Sequence, residues 1–415
     1  MTENTWSITA HSTWWSQVTT ALSLCSEKAQ SGGGSSFLSC VYIVVSNDDV
    51  TLTSESSGAG FSITTSDVEF SGSGDNLVPV QAFKHALSSL PAGGDIIVEN
   101  TDGDITVATD DGSASFTVVP NIIVDHDMVP HPPHIPDSLK TADVDSADMV
   151  AMYRTGSAMA QDIIGSEHVG YDPLSGCVVT LDHTGIQMIS LATSSSESHL
   201  VCDTGMEDKD DPVSTVTIPS TTLPCLKAVS AFDSVMECGV APSGNLVVSA
   251  GGATISIVPL NVAANSKSAV TYKNILNVFE PVWKNRYVTV EVSARELFAA
   301  VGRAAGVSDD RINVIIADSQ VTIQGVDPVM SGVPFTQDIA CYTQWYNQNG
   351  QHTMEFSISS VVFKKVGSMI GGKDTVTMSV SYSPTNTPWA VTLYGEDFDD
   401  NDPHNFFLLG IEDKK

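Results

Sequence analysis

Imidazoles, carboxylates and thiols hold metals and perform acid–base or nucleophilic chemistry, and this chain gathers each of them in a recognisable place. His126, His131 and His134 fall in one Pro-rich stretch, NIIVDHDMVPHPPHIPDSLKTADVDSA at Asn121–Ala147. Three imidazoles could ligate zinc, but a Pro-rich tether lacks the rigid frame and outer partners that orient a ligating ring. Asp397, Asp399, Asp400 and Asp402 resemble a calcium loop, yet no Gly stands at the turn position and no Glu closes the loop. Cysteines occur at 25, 40, 177, 202, 225, 238 and 341, with no C-x-x-C pair and mostly inside apolar patterns, as buried free thiols do. Neither a G-x-S-x-G elbow nor a phosphate-cradling Gly loop is present. These residues predict no catalytic centre, no metal and no cofactor.

What remains is charge. The 415 residues carry 49 Asp and Glu against 18 Lys and Arg, a net charge of −31. Such a surface repels phosphate, which at face value argues against nucleic acid, and acidic, Lys-poor surfaces also arise by adaptation to high salt. The positions of the cations change that reading. Six stretches have helical apolar spacing: Thr13–Gln30, the run opened by Pro79, Asp148–Gln161, the run after Ile218, Ala294–Gly306 and the run after Phe356. They hold Lys28, Lys84, Arg154, Lys227, Arg295, Arg303, Lys364 and Lys365, and few acids beyond Glu27, Asp148 and Glu296. Glu forms helices as readily as Lys or Arg, so its scarcity there is a bias of position. The helices are expected to make one neutral-to-basic side on an otherwise acidic molecule.

These helices belong to a repeat. Val78–Pro120 reads as a short helix after Pro79, a turn at LPAGGD, a strand, a hairpin turn at NTDGD and a returning strand. The same order recurs at Ile218–Leu260 and at Phe356–Leu393. The copies lie about 140 residues apart, far beyond the period of about 20–50 residues of a solenoid, so they mark repeated domains. A prior of about 150 residues per domain also gives roughly three. The expected division is 1–124, a linker at 125–146, then 147–276 and 277–415, each with two helices and several short strands. Hydrophobic residues make up 42% of the chain, enough for real cores. No apolar run approaches the roughly 20 residues needed to span a bilayer, and Met1–Ala10 lacks a basic leader start, so a cytoplasmic protein is expected.

Three tandem domains of this make-up, with one cationic helical side, resemble the bacterial DNA polymerase III beta sliding clamps. The resemblance covers nearly the whole chain and rests on order and spacing more than on any single motif. VPVQAF, LPAG and SFTV in the first third are similar to the family's pattern there. Leu174, Gly176 and LAT at Leu191–Thr193 resemble its second domain, Tyr272-Lys273-Asn274 its junction, and Arg303-Ala304-Ala305 the end of a third-domain helix. The extra length falls in linkers and acidic loops, in keeping with a divergent, virus-borne copy.

The resemblance implies an α+β fold of three tandem clamp-type domains and no enzymatic activity. It implies a homodimeric ring around duplex DNA, held without regard to sequence and lined by the helix cations. It also implies a replicative polymerase and an ATP-dependent clamp loader as partners. By position, the family's partner-peptide pocket would be walled by Leu174, Thr193, Leu200, Ile275, Pro388, Leu408, Leu409 and Ile411. The family's Met-Pro-Met-Arg-Leu ending reads Leu409-Gly410-Ile411-Glu412-Asp413 here, and Ser194–His199 replace its turn before Leu200. At the ring interface the family's ion pairs are missing, leaving Phe116 and Val118 to meet Ala305 and Val307. The alternative from composition alone is an acidic extracellular β-domain array of the adhesin kind, which Ser, Thr, Gly and Asp richness suits. Paired helices in each repeat speak against it.

Overall fold

The structure is a computed structural model. It describes residues 5–28, 36–101, 103–120, 128–133, 135, 139, 141–150, 153, 176–181, 186–194, 197–204, 214–260, 284–308, 311–325, 335–346, 352–370, 374–382, 388–395 and 406–413. The chain opens with β1 (Thr5–His11), α1 (Ser12–Leu24), β2 (Cys40–Val45), β3 (Val50–Glu55), β4 (Ala59–Thr65) and β5 (Glu69–Pro79). Then come α2 (Val80–Ser88), β6 (Asp95–Thr101), β7 (Asp104–Thr109) and β8 (Ser115–Val118). The middle holds β9 (Thr141–Asp145), β10 (Gly176–Leu181), β11 (Ile186–Ser194), β12 (Glu197–Thr204) and β13 (Ser214–Pro219). It continues with α3 (Leu223–Val229), β14 (Val235–Val240), β15 (Leu246–Ala250) and β16 (Ala253–Ile257). Next are β17 (Arg286–Ser293), α4 (Ala294–Ala305), β18 (Arg311–Ala317), β19 (Gln320–Gly325), β20 (Phe335–Trp345) and β21 (Thr353–Ser359). The chain closes with α5 (Ser360–Ile370), β22 (Thr375–Tyr382), β23 (Pro388–Tyr394), β24 (Phe406–Gly410) and β25 (Glu412–Asp413). No helix of the described residues is long and apolar enough to cross a membrane.

Helices start where a strand ends. The side chain of His11 accepts from the Thr13 amide ahead of α1, and Ser293 Oγ accepts from the Glu296 amide at 3.4 Å ahead of α4. The second is an S-x-x-E start with an acid in the first turn. α1 stops at Leu24, short of the Gln30 expected from apolar spacing. Thr19 and Thr20 donate their hydroxyls back to the carbonyls of Trp15 and Ser16, and Cys25 leaves the helix at φ −98, ψ 6. The Glu27 amide then donates to Leu38 O at 2.7 Å, which turns the chain and leaves Lys28 beyond the helix.

The chain divides into two compact units. The first comprises Met1–Tyr153, Leu181–Ile186 and Glu207–Leu260. Its 12-stranded sheet runs in the order β8-β7-β6-β1-β5-β2-β3-β4-β16-β15-β14-β9. The first repeat joins the second at β4 and β16, which pair from Ala59↔Ile257 to Ile63↔Ala253. Gly72 (φ +78) lets β5 pass from β1 to β2, since a Cβ there would lie 2.1 Å from Thr5 O. Trp15 of α1 and Phe83 of α2 meet edge to face at 5.8 Å, both fully buried. The indole N–H of Trp15 donates to Ile96 O, and that of Trp6 to Asn76 Oδ1 at 2.9 Å, so each large ring is buried with its polar handle satisfied.

The segment expected to be a linker is largely built into this unit. Thr141–Asp145 pairs with β14 along five residues and buries Ala142 and Val144. Its Asp content hid a plain strand alternation. Upstream, Val129 is buried and the His131 amide donates to Glu55 Oε2 at 3.3 Å. His126, His134, Asp397, Asp399, Asp400 and Asp402 lie outside the described residues.

The second unit comprises Arg154–Thr180, Gln187–Met206 and Asn261–Lys415. Its strands follow the order β10-β11-β12-β24-β23-β22-β17-β20-β19-β18-β21-β25. α4 and α5 pack over them, with Phe298 and Phe363 edge to face at 5.8 Å. The helices approach closely because Gly367 has no side chain. A Cβ there would sit 2.4 Å from Phe298 Cδ1. Gly367→Ala is therefore expected to destabilise the protein by about 1–3 kcal/mol of overpacking, more than the gain of up to about 1 kcal/mol in helix propensity. A lowered urea midpoint at unchanged slope would show this; an unchanged midpoint would contradict the close helix contact.

Candidate nucleic-acid interface and partner pocket

The five helices carry six cations, Lys84, Lys227, Arg295, Arg303, Lys364 and Lys365, against one acid, Glu296. Asp148 is the one acid in the short helical stretch at 146–150. In the first unit the helices form a continuous layer. α1 meets α2 through Trp15 and Phe83, Lys84 Nζ donates to Ser23 Oγ at 3.0 Å, and α1 meets α3 through Cys25 and Cys225. Lys227 is exposed, with its Nζ 5.8 Å from the centre of the Tyr153 ring. In the second unit Arg295 and Arg303 lie two turns apart on the exposed stripe of α4, and Lys364 is exposed on α5. Arg303 donates to Gln337 Oε1 at 2.6 Å. Among the described residues no carboxylate forms an ion pair with Lys28, Lys84, Lys227, Arg295, Arg303 or Lys364. In each unit the helices thus offer cations that acids do not neutralise, while the strands and loops hold nearly all the negative charge. Arg154 lies outside the described residues.

Five of the eight residues expected to wall a pocket, Thr193, Leu200, Pro388, Leu408 and Leu409, fall on neighbouring strands of the second unit. Leu200 on β12 is in register with Leu408 on β24, and Leu408 with Thr392 on β23. Thr193 lies on β11 beside β12, and Pro388 opens β23. Leu409 pairs with Val391, which is fully buried in the core. Ile411 is itself buried in that core. Leu174 and Ile275 lie outside the described residues.

Phe116 lies on β8, the end strand of the first unit's sheet, and is 38% exposed. Val118, two residues on and so on the same face of the strand, is buried, and it offers little to a partner. The β7–β8 hairpin that presents Phe116 is fixed by Asp111, whose carboxylate accepts from the Thr109 hydroxyl at 2.7 Å and the Ser113 amide at 2.9 Å. Those bonds, the Thr109 hydroxyl first, hold its pKa down at about 2. Val307 is exposed and Ala305 half-buried at the end of α4.

One feature escaped sequence reasoning. Among the described residues, 335–340 of β20 pair with β19 alone, while 341–345 pair with β17, so no described strand covers the other edge of the first half of β20. The alternation of Phe335, Gln337 and Ile339 with Thr336 and Asp338 was the available signal.

Compared with protein-family models and with curated proteins, the sequence gives no match. Solved structures do match. The DNA polymerase III beta subunit of Thermotoga maritima superposes with a TM-score of 0.74 at 11% identity, over 99% of this chain and 100% of that one. The beta subunit of Streptococcus pyogenes gives 0.72 at 15% identity, again over 99% and 100%. A sliding clamp of Pseudomonas aeruginosa bound to griselimycin gives 0.72 at 14% identity, over 99% of each chain. Along its whole length, then, this chain has the fold of the DNA polymerase III beta sliding clamps.

Proposed function

We propose that the protein is a DNA sliding clamp, a processivity factor that encircles duplex DNA and tethers a replicative polymerase through a peptide-binding pocket. The observation that carries this is the helix layer. In a chain of net charge −31, cations without acid partners collect on the helices of a clamp fold. Topological linkage needs no strong phosphate grip, and a weak cationic lining permits sliding. The acidic exterior disfavours DNA anywhere else. In this reading the protein acts in the cytoplasm without catalysis, and an ATP-dependent loader opens it. An adhesin-like β array is not favoured, since strands in each repeat run directly into helices.

Three domains, 1–124, 147–276 and 277–415 with a link at 125–146, fit the recurrence of the elements. The first repeat holds β1 to β8, the second β9, which lies at the end of that link, to β16, and the third β17 to β24. Two joints follow one rule: β4 pairs with β16, and β12 pairs with β24. In each, the fourth strand of one repeat meets the eighth of the next. Among the described residues that rule leaves the open half of β20 and the end strand β8, which a second copy would pair. Two copies joined head to tail through them would close a ring, with Phe116 near Val307. Light scattering at micromolar concentration should give about 88 kDa, twice the chain mass of 43.8 kDa. Phe116→Asp should shift it to the monomer. A wild-type protein that stays monomeric would overturn ring closure.

A further inference from the structure

α1 and α3 meet at two thiols. Cys25 caps the C-terminus of α1 and Cys225 lies in α3, 200 residues on, yet their Sγ atoms stand 3.8 Å apart. Both side chains are buried. We propose that this pair is an oxidation site, where peroxide joins Cys25 to Cys225 in a disulfide that staples the first repeat to the second.

The geometry is close to what the bond needs. A disulfide has its sulfurs about 2.05 Å apart, so each Sγ must move by only about 0.9 Å. Cys25 sits just past the helix, at φ −98 and ψ 6, where its side chain escapes the crowding of a helical turn. The joint it would lock is already continuous in backbone, because β4 pairs with β16 beneath the helices. Thr222, just ahead of α3, faces Gly58 at the turn between β3 and β4.

The chemistry is ordered by the hydrogen bond between the sulfurs. Cys25 donates its S–H to Cys225, and that bond, with burial, holds the Cys25 thiol well above its usual range. Cys225, which accepts that bond, is the sulfur that attacks. Its thiolate takes one peroxide oxygen and the O–O bond breaks. The hydroxide released collects a proton as water, and Cys225 becomes a sulfenic acid. Cys25 then gives up its proton and attacks the sulfenyl sulfur, the S–O bond breaks, and a second water leaves. Two thiols lose two electrons in all, and one peroxide is reduced to two waters. A buried sulfenic acid with no sulfur beside it persists or oxidises further, whereas here a second thiol waits within reach.

The test uses the full chain treated with hydrogen peroxide, then alkylated, digested without reductant and read by mass spectrometry. The expected result is a linked Cys25–Cys225 peptide as the main oxidised product. A cross-link closing so long a loop should raise the melting midpoint by about 10 °C, and dithiothreitol should reverse it. Cys225→Ala should lose both the peptide and the shift. In Cys25→Ala, Cys225 should instead progress to sulfinic acid. Sulfinic or sulfonic acid at these positions in the wild type with no linked peptide would overturn the proposal. So would a shift that survives in both variants, or a linked peptide with no shift.

Discussion

A variant carrying Lys227→Glu, Arg295→Glu, Arg303→Glu and Lys364→Glu is expected to lose its hold on nicked circular DNA while folding as the parent does. All four side chains are exposed and none has an acid partner. Surface changes of this kind usually alter stability by no more than about 0.5 kcal/mol. Function should not be spared. Each phosphate contact contributes about 0.9 to the slope of log affinity against log salt, and here four contacts per copy turn repulsive. Rings re-formed around the circle and separated by gel filtration should retain at least about tenfold less DNA, equivalent to ~1.4 kcal/mol. The same four changes to Ala should give an intermediate loss and a shallower salt dependence. Equal retention by the Glu variant would place the DNA path away from the helices.

The second large effect is expected at the β12–β24 joint. Leu200 and Leu408 stand opposite each other there, beside the Thr193 strand and the Pro388 strand. A peptide of the form Gln-Leu-x-Leu-Phe would bury two or three apolar side chains, worth about 1.5–3 kcal/mol each before ordering costs, in keeping with micromolar affinity. Leu200→Glu with Leu408→Glu should weaken a fluorescent peptide by more than about tenfold, one such side chain's worth, with the dimer intact. An unchanged anisotropy titration would move the pocket elsewhere. Truncation from Leu409 is the wrong probe, because it removes buried Ile411 and the β25 residues that pair with Phe356 and Ser357. A loss of binding would then report a damaged core.

The repeat was legible because its signals are local. Pro79 and Pro219 mark where a strand gives way to a helix, and Gly103 and Gly244 adopt positive φ at the hairpin turns that the sequence announces. α4 was legible too, since apolar spacing and its Ser293 start agree. What stayed hidden depends on distant partners. β9 reads as an acidic tether until β14 supplies its pairing, and only Gly72 beneath Thr5 O explains how a Gly-rich stretch can be the long strand β5. Lys28 and Val118 were placed by pattern, and each moved. The Glu27 amide turned the chain after α1 by bonding Leu38 O, and Val118 is covered although it shares a strand face with the exposed Phe116. The meeting of Leu200 with Leu408 could be expected only by resemblance, since no local rule links strands so far apart in the chain.

Encirclement is tested most directly by cutting the DNA. Protein assembled on a nicked circular plasmid and isolated by gel filtration would be split in two, one half treated with a single-cutting restriction enzyme. A ring that holds DNA by topology slides off the new ends, so the protein should leave the plasmid fraction after cutting and remain on the uncut circle. Protein that stays bound to the linear DNA as firmly as to the circle would be gripping phosphates or bases, and the sliding-clamp account would be wrong.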